Sequence, residues 1–397
     1  MTQLRVDGLT KIFGNDPQRA LDALEQGSTK DDVLRDTGQV VAVRDVSFEV
    51  DDGELFVVMG LSGSGKSTVI RMLNRLIEPT SGEVEIDGQD VLAMSKEELR
   101  RLRMTKMSMV FQHFALFPHR TVWQNAAYGL KVQGKPEDER REKAEWALDR
   151  VGLGGWGESM PHELSGGMQQ RVGLARGLAT EADLLLMDEP FSALDPLIRR
   201  DMQDLLAELQ SELKKTIIFI THDLNEAMRL GDRITVMKDG AVVQIGTGAE
   251  IIHNPATDYV ADFVADVDRS RVLPASMAMR EPRKTFGPDA SPREVLDWLD
   301  EADVNGVYVV DRDYRILGVA RDDRIAQGLR EGATTVKDLL IDDYVRVDPD
   351  TPLHELQALA AQHPVAIAVT DDKDHMLGVV RRASLLAALA GEEVPGA

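Results

Sequence analysis

Cysteine is absent from the 397 residues. The chain therefore carries neither a disulfide framework nor a thiolate metal site. Long apolar runs are missing too. No stretch approaches the roughly 18 residues that a bilayer-spanning helix needs, and the first residues do not read as an apolar secretory leader. Work at a membrane is expected to go through partners. Positive charge is in deficit: 46 Lys and Arg stand against 68 Asp and Glu, a formal net charge of −22 with a pI near 4.8. That balance argues against binding a nucleic acid polymer, which wants a basic face. What remains, 43% hydrophobic and 29% charged residues, suits a soluble globular protein. The length asks for two or three domains.

The most informative stretch present is Gly60-Leu61-Ser62-Gly63-Ser64-Gly65-Lys66-Ser67-Thr68. It fits the phosphate-loop pattern G-x-x-x-x-G-K-[ST]. The apolar run Leu55–Met59 before it reads as a buried strand, and Val69–Leu76 after it reads as a helix. Strand, glycine loop and helix together aim backbone N–H groups at an anion. Lys66 is placed to reach β- and γ-phosphates, and the Ser67 hydroxyl to ligate magnesium.

Around this loop the chain alternates strands and helices. Met1–Phe13, Val40–Val50, Glu83–Gly88 and Met107–Phe111 read as strands. Gly14–Thr37 reads as an insertion with one amphipathic helix, Pro17–Glu25, and a loop. Ser95 with Glu98 has the look of a capping box. Helical periodicity runs from Pro118 to about Ala179. The buried runs Leu184–Asp188 and Ile217–Asp223 end in polar residues, Arg199–Leu213 reads as a helix, and Asp239-Gly240 marks a hairpin. Such alternation implies a largely parallel α/β core. A linker is placed near 269–275. Beyond it a pattern repeats at an offset of 60 residues: Val307–Asp311 with Leu317-Gly318-Val319 recurs as Ile367–Asp371 with Leu377-Gly378-Val379. Two copies of a small β-α-β-β-α unit are expected.

Further residues narrow the chemistry. Asp188 ends a strand, where a carboxylate can hold magnesium through water. Its neighbour Glu189 can orient and deprotonate an attacking water. Ser165-Gly166-Gly167 at a helix start is a second anion site, and two such sites suggest that one completes a partner's. Gln112 and His222 end strands, where each can address a γ-phosphate.

With these residues in place the chain resembles the ATP-binding subunit of an ATP-binding-cassette (ABC) importer over Met1 to about Asp268. Within that superfamily it looks like the glycine betaine/proline branch, on Arg75–Thr80, on Phe191–Arg199 and on the insertion after Phe13. The tail resembles paired CBS modules. The implied fold is a P-loop NTPase core with antiparallel β and helical subdomains, followed by an α+β tandem CBS module. The implied domains are 1–268, with a helical subdomain near 93–179, then repeats at 276–333 and 334–391. The resemblance makes Glu189 the base, with His222, Lys66 and Gln112 as catalytic partners. ATP would contact Phe13 through adenine stacking, Gly60, Ser62, Gly63, Ser64, Gly65, Lys66, Ser67 and Thr68. Ser165, Gly166, Gly167, Gln169 and Asp195 would act across a homodimer. Mg2+ would lie near Ser67, Gln112 and Asp188.

The implied activity is ATP hydrolysis driving import of a compatible solute through transmembrane permease subunits and a substrate-binding protein, from a peripheral position on the cytoplasmic face of the inner membrane. The stretch Phe114–Pro118 resembles the groove for the permease. In the tail, Ser384 is followed by Ala387 where nucleotide-binding CBS repeats usually place Asp. A nucleotide, a cyclic dinucleotide or no ligand therefore all stand open. The acidic clusters of the tail either solvate a surface or meet basic stretches such as Arg100-Arg101-Arg103-Lys106. Other readings are an importer ATPase for another amine or amino acid, a soluble cassette ATPase, or a nucleotide sensor.

Overall fold

Val, Ile and Leu at alternate positions of Thr2–Phe13 (β1) and Val40–Asp51 (β2) bury one face and expose the other, the pattern of a half-buried antiparallel pair. In a computed structural model, described for residues 2–112, 115–265 and 267–390, these strands form an antiparallel sheet with Ser81–Ile86 (β4) and Gln89–Asp90 (β5) in the order β2-β1-β4-β5. A second sheet takes the fully buried runs. Leu55–Gly60 (β3), Met107–Val110 (β6), Leu184–Asp188 (β7), Thr216–Thr221 (β8), Arg233–Lys238 (β9) and Ala241–Gly246 (β10) lie in the order β10-β9-β3-β8-β7-β6. All neighbours in it are parallel except β10 with β9.

The main core sits between the two sheets. Leu4, Val6, Phe48 and Ile86 from the first meet Phe56, Val58, Leu186 and Ile220 from the second, with Val69, Ile70, Met72 and Leu73 of the helix Lys66–Leu73 among them. Phe48 stacks on Phe56 at 5.0 Å. This burial from three directions fixes the direction in which β3 delivers the phosphate loop.

The insertion carries two helices, Pro17–Glu25 and Lys30–Thr37. The second stands where the sequence reads as loop. Thr29 and Asp32 cap it reciprocally, and a Gly38 at φ 69° ends it. Ala20 and Val33 pack with Ile12 and Val41, so the insertion has a small core of its own. Between Lys96 and Ala179 the chain is mainly helical: Lys96–Thr105, Val122–Ala126, Tyr128–Val132, Glu137–Arg150 and Gly166–Ala179, interrupted by β6. The Ser95–Glu98 capping box is present.

Contacts divide the chain into Met1–Val267 and Asp268–Ala397. The stretch read as a linker carries two short helices, Arg269–Val272 and Ala275–Ala278. It belongs to the second unit: Leu273 is buried, and its carbonyl accepts from Leu353 N–H at 2.9 Å.

In that unit Gly306–Val310 (β11) and Ile316–Arg321 (β12) pair antiparallel. Arg346–Val347 (β13), Ile367–Thr370 (β14) and Met376–Val380 (β15) form the matching sheet of the second repeat. Helices Pro292–Ala302 and Leu353–Gln362 precede the hairpins, and Asp322–Glu331 and Arg382–Ala390 follow them. The repeats differ in their leading strand. The leading strand of the first is reduced to a single parallel bridge, Phe286 with Val309. Tyr308, Val310 and Val319 of the first repeat share a core with Ala368, Met376 and Val379 of the second. Gly391, the expected end of the second repeat, lies outside the described residues.

Candidate functional site

The phosphate loop needs glycine for steric reasons. A Cβ at Gly60, φ +148°, would stand 2.3 Å from the Met237 carbonyl oxygen. One at Gly65, φ +95°, would stand 2.4 Å from that of Ala42. Backbone from β9 and β2 therefore closes on the loop from two sides, as a cradle of N–H groups requires. Ser62 and Gly63 are exposed at its tip, whereas Ser64 is buried with an unpartnered hydroxyl. Thr68 N–H donates to Gly65 O at 2.9 Å and opens the helix.

Lys66 is 4% exposed and donates to the carbonyls of Gly60 at 2.9 Å and Leu61 at 3.1 Å. Burial pushes its ammonium below the ordinary lysine value, and the charges of Glu189 and Asp188 oppose that shift. Ser67 Oγ donates to Asp188 Oδ1 at 2.8 Å, and Arg71 Nη2 donates to Asp188 Oδ2 at 3.2 Å. Ser67 and Asp188 are hard oxygen donors brought together, which fits a magnesium ion.

Glu189 follows Asp188 in a left-handed conformation, φ 47°. Its N–H donates to Ile220 O at 3.0 Å, and its Oε2 lies 3.0 Å from His222 Nδ1. The backbone outlier thus turns the Glu189 carboxylate to the end of neighbouring β8. Gln112 Nε2 donates to Ser192 Oγ at 3.1 Å, and Ser192 Oγ donates to Glu189 O at 3.0 Å. Glutamine, serine and glutamate are therefore one chain of contacts beside the loop. The Gln112 amide oxygen is left as its group with affinity for a metal.

The remaining expected site residues stand elsewhere. Ser165 caps the helix Gly166–Ala179 by accepting from Met168 N–H at 3.4 Å. Asp195 caps the helix Pro196–Leu213 by accepting from Ile198 N–H at 3.2 Å. These two helix starts touch: a Cβ at Gly167 would lie 2.5 Å from Ile198 Cγ2. Gln169 turns back, donating to Pro161 O at 3.0 Å and Leu164 O at 3.2 Å, and so braces the turn before Ser165. Phe13 ends β1 with its ring 41% exposed and Lys11 Nζ 5.1 Å from its centroid.

The sequence gives Arg71 no role at the site, and Ser192 enters only within the stretch Phe191–Arg199, without its bridge from Gln112 to Glu189. Arg71 lies four residues after Ser67 on the same helix, a spacing that places both on one face and was available as a signal. The Ser192 bridge depends on a tertiary turn and had no local signal.

Two further features lie apart from this cluster. A cavity of about 270 Å³ opens between the parallel sheet and the helical region, lined by Leu76, Met104, Phe111, Tyr128, Val132 and Arg176. Phe114 of the expected permease groove lies outside the described residues. Phe117, from the same stretch, is spent on packing, 4.5 Å from Tyr128 with the Arg120 guanidinium 4.9 Å away. In the second unit a cavity of about 280 Å³ lies between the repeats, lined by Arg283, Lys284, Trp298, Tyr308, His363 and Arg381. Two of the four cations expected to face acidic clusters are engaged within the first unit. Arg103 donates to Asn74 O at 2.9 Å, and Lys106 pairs with Asp87 at 3.3 Å and Asp183 at 3.1 Å.

Comparison with known proteins gives the following. Residues 43–192 match the family described as ABC transporter, and residues 336–391 match the CBS domain. The glycine betaine/carnitine transport ATP-binding protein GbuA of Listeria monocytogenes is 48% identical over 394 residues, 99% of each chain. The trimethylamine N-oxide transport system ATP-binding protein TmoW of Ruegeria pomeroyi is 53% identical over 270 residues, 68% of this chain and 79% of that one. Among solved structures, the dimeric post-hydrolysis state of the ATP-binding cassette MJ0796 bound to ADP and Pi has a TM-score of 0.52 at 32% identity, covering 62% of this chain and 98% of that one.

Proposed function

The chain belongs to the ABC transporter family, among the ATP-binding proteins of glycine betaine transport systems, and from that premise we propose that it hydrolyses ATP to power import of glycine betaine or a related osmolyte. It acts beside permease subunits on the cytoplasmic face of the inner membrane, and a substrate-binding protein delivers the solute to the complex.

The observation that carries the catalytic reading is the 3.0 Å contact between Glu189 and His222. It sits at the ends of adjacent parallel strands, next to the 2.8 Å contact between Ser67 and Asp188. ATP phosphates enter the cradle Gly60–Thr68, and Lys66 offers its charge to their oxygens. Ser67 and Asp188, with the Gln112 amide oxygen, would hold Mg2+, which would supply positive charge beside the phosphoryl oxygens. Glu189 accepts the proton of the attacking water. His222 fixes the Glu189 carboxylate and addresses the γ-phosphate. Phe13 stacks on adenine.

Two copies pair head to tail. Each presents Ser165-Gly166-Gly167, whose helix start favours negative charge, to the ATP on its partner's phosphate loop, with Asp195 beside it. The apolar cavity at Leu76, Phe111 and Val132 receives a segment of the permease. The tandem CBS tail regulates. Its cleft, ringed by Arg283, Lys284 and Arg381 and by the rings of Trp298 and Tyr308, suits a nucleotide or a cyclic dinucleotide.

The test is a substitution series in the reconstituted transporter. Glu189→Gln is expected to keep ATP binding and to lower turnover by at least about 100-fold, whereas Lys66→Ala weakens ATP binding itself. Wild-type turnover in Glu189→Gln rejects the assignment of the base. The likeness to a trimethylamine N-oxide system favours a second reading, import of another amine. Uptake of labelled glycine betaine in competition with trimethylamine N-oxide decides between them.

A further inference from the structure

The turn Ser192–Asp195 and the turn around His222 leave different strands, yet one side chain holds both. Arg199 lies in the first turn of the helix Pro196–Leu213. Its Nη2 donates to Leu194 O at 3.1 Å, and its Nη1 donates to Asp223 Oδ2 at 3.3 Å. Asp223 in turn caps the helix Leu224–Leu230, accepting from Asn225 N–H at 2.9 Å.

Beneath this fork is a buried acid. Glu226 is 3% exposed. Its Oε2 accepts from Thr221 Oγ1 at 2.6 Å, and its Oε1 accepts from Gln203 Nε2 at 3.1 Å. Asp223 N–H donates to Thr221 Oγ1 at 2.9 Å. Both neighbours of His222 are therefore anchored in one polar network, and Arg199 extends that network to the carbonyl next to Asp195.

One nitrogen of the Arg199 guanidinium stands out. Arg199 Nε is buried without a hydrogen-bond partner and faces Glu226 Oε1 at 3.9 Å. A buried donor left open is costly. Closing the gap to the ~3 Å of an ordinary hydrogen bond satisfies it. The same guanidinium holds Leu194 O and Asp223, so its position relative to Glu226 bears on both turns. A planar guanidinium can hold both turns at once, which a single ammonium cannot do with the same geometry.

We propose that Arg199 is a positioning residue that couples Asp195, on the surface offered to a second copy of the chain, to His222 in its own site. Engagement of Asp195 by the second copy closes the Nε contact and locks in place the 3.0 Å contact that His222 already makes with Glu189. The inference rests on the reading of Glu189 and His222 as the hydrolytic pair.

The test measures ATP hydrolysis by the full transporter across an ATP series for wild type, Arg199→Ala, Arg199→Lys and Glu189→Gln. In wild type two coupled sites give a Hill coefficient above 1. Arg199→Ala is expected to lower kcat by about tenfold with KM within about twofold, and to bring the Hill coefficient to 1. Arg199→Lys restores part of kcat and none of the cooperativity. A melting curve for each variant separates this from unfolding, since the lysine variant keeps the packing of the stem. Overturning results are a non-cooperative wild type, an unchanged Hill coefficient in both Arg199 variants, or a kcat loss that follows the melting temperature. Full turnover in Glu189→Gln fails the hydrolytic reading instead, whatever the Arg199 variants do.

Discussion

The phosphate loop and the tail cleft both gather charge, but they settle it in different ways. At the loop every principal charge has a partner of opposite sign or a polar group: Lys66 on two carbonyls, Asp188 on Ser67 and Arg71, Glu189 on His222. In the tail the balance is not neutral. Burial pushes the Arg381 guanidinium below its ordinary value, and the nearby Arg283 adds to that shift by repulsion. Lys284 stands 4.3 Å over the Phe286 ring and 3.6 Å from Glu294. The first site is preorganised, so a bound phosphate exchanges one set of contacts for another. The second holds like charges close together, and an anion there relieves repulsion. Preorganisation suits repeated turnover; relief of repulsion suits a sensor, since binding changes the balance of the whole cleft.

The contrast breaks most severely if the loop is loosened. Gly60→Ala puts a Cβ against the Met237 carbonyl at a backbone angle that side chains rarely adopt. The expected cost is about 3 kcal/mol of stability, with loss of ATP binding, read by denaturant unfolding and nucleotide titration. Less drastic is a mixed dimer of Ser165→Arg and Lys66→Ala chains. Head-to-tail pairing concentrates both defects in one site and leaves the other intact. Binding of ATP at a single site per mixed dimer supports the pairing, and binding at none counts against it.

The tail side of the contrast is sharpened by Arg381→Glu. At ligand about 100 times its dissociation constant, binding adds roughly 2.7 kcal/mol of stability. The variant is expected to abolish the thermal shift that a nucleotide or cyclic dinucleotide gives the full chain. A shift equal to wild type removes the cleft as the site. Ending the chain after Asp268 is expected to keep ATP hydrolysis and to alter how uptake depends on ionic strength, and superimposable salt curves reject a regulatory tail.

The smallest effect concerns Glu226. Burial raises its carboxyl above the ordinary value of 4.5, with hydrogen bonds from Thr221 and Gln203 opposing. A raised acid favours the protonated form in the fold. Its contribution is full below the ordinary carboxylate range and is lost as pH rises through the raised value. Glu226→Gln removes that dependence. The difference in melting temperature between wild type and variant should therefore shift in favour of the variant as pH is raised, and parallel curves contradict the sign.

What sequence could disclose follows from how local each feature is. The phosphate loop, the Ser95 cap and the paired strand–turn–strand runs of the tail are written in contiguous residues. The helix Lys30–Thr37 was missed because it buries only Val33, so its apolar periodicity is nearly silent. The helix Pro196–Leu213 starts three residues before the expected Arg199, because Asp195 is its cap and Pro196 suits its first turn. Positions of Asp188, Glu189, Gln112 and His222 at strand ends were legible. Their mutual contacts, the Ser192 bridge and the Arg199 fork were not, since each joins residues far apart in the chain. The leading strand of the first tail repeat was also hidden, being a single bridge at Phe286.

The shared core of the tail bears on how such a chain can be inherited. Tyr308 reaches from the first repeat to donate its hydroxyl to Ala366 O at 2.7 Å, and the apolar cluster around it draws equally on both copies. Neither half can be lost alone without exposing the other's interior to water. A lineage shedding this module is expected to shed both copies together, and descendants holding a lone repeat should recover the missing half from a second chain.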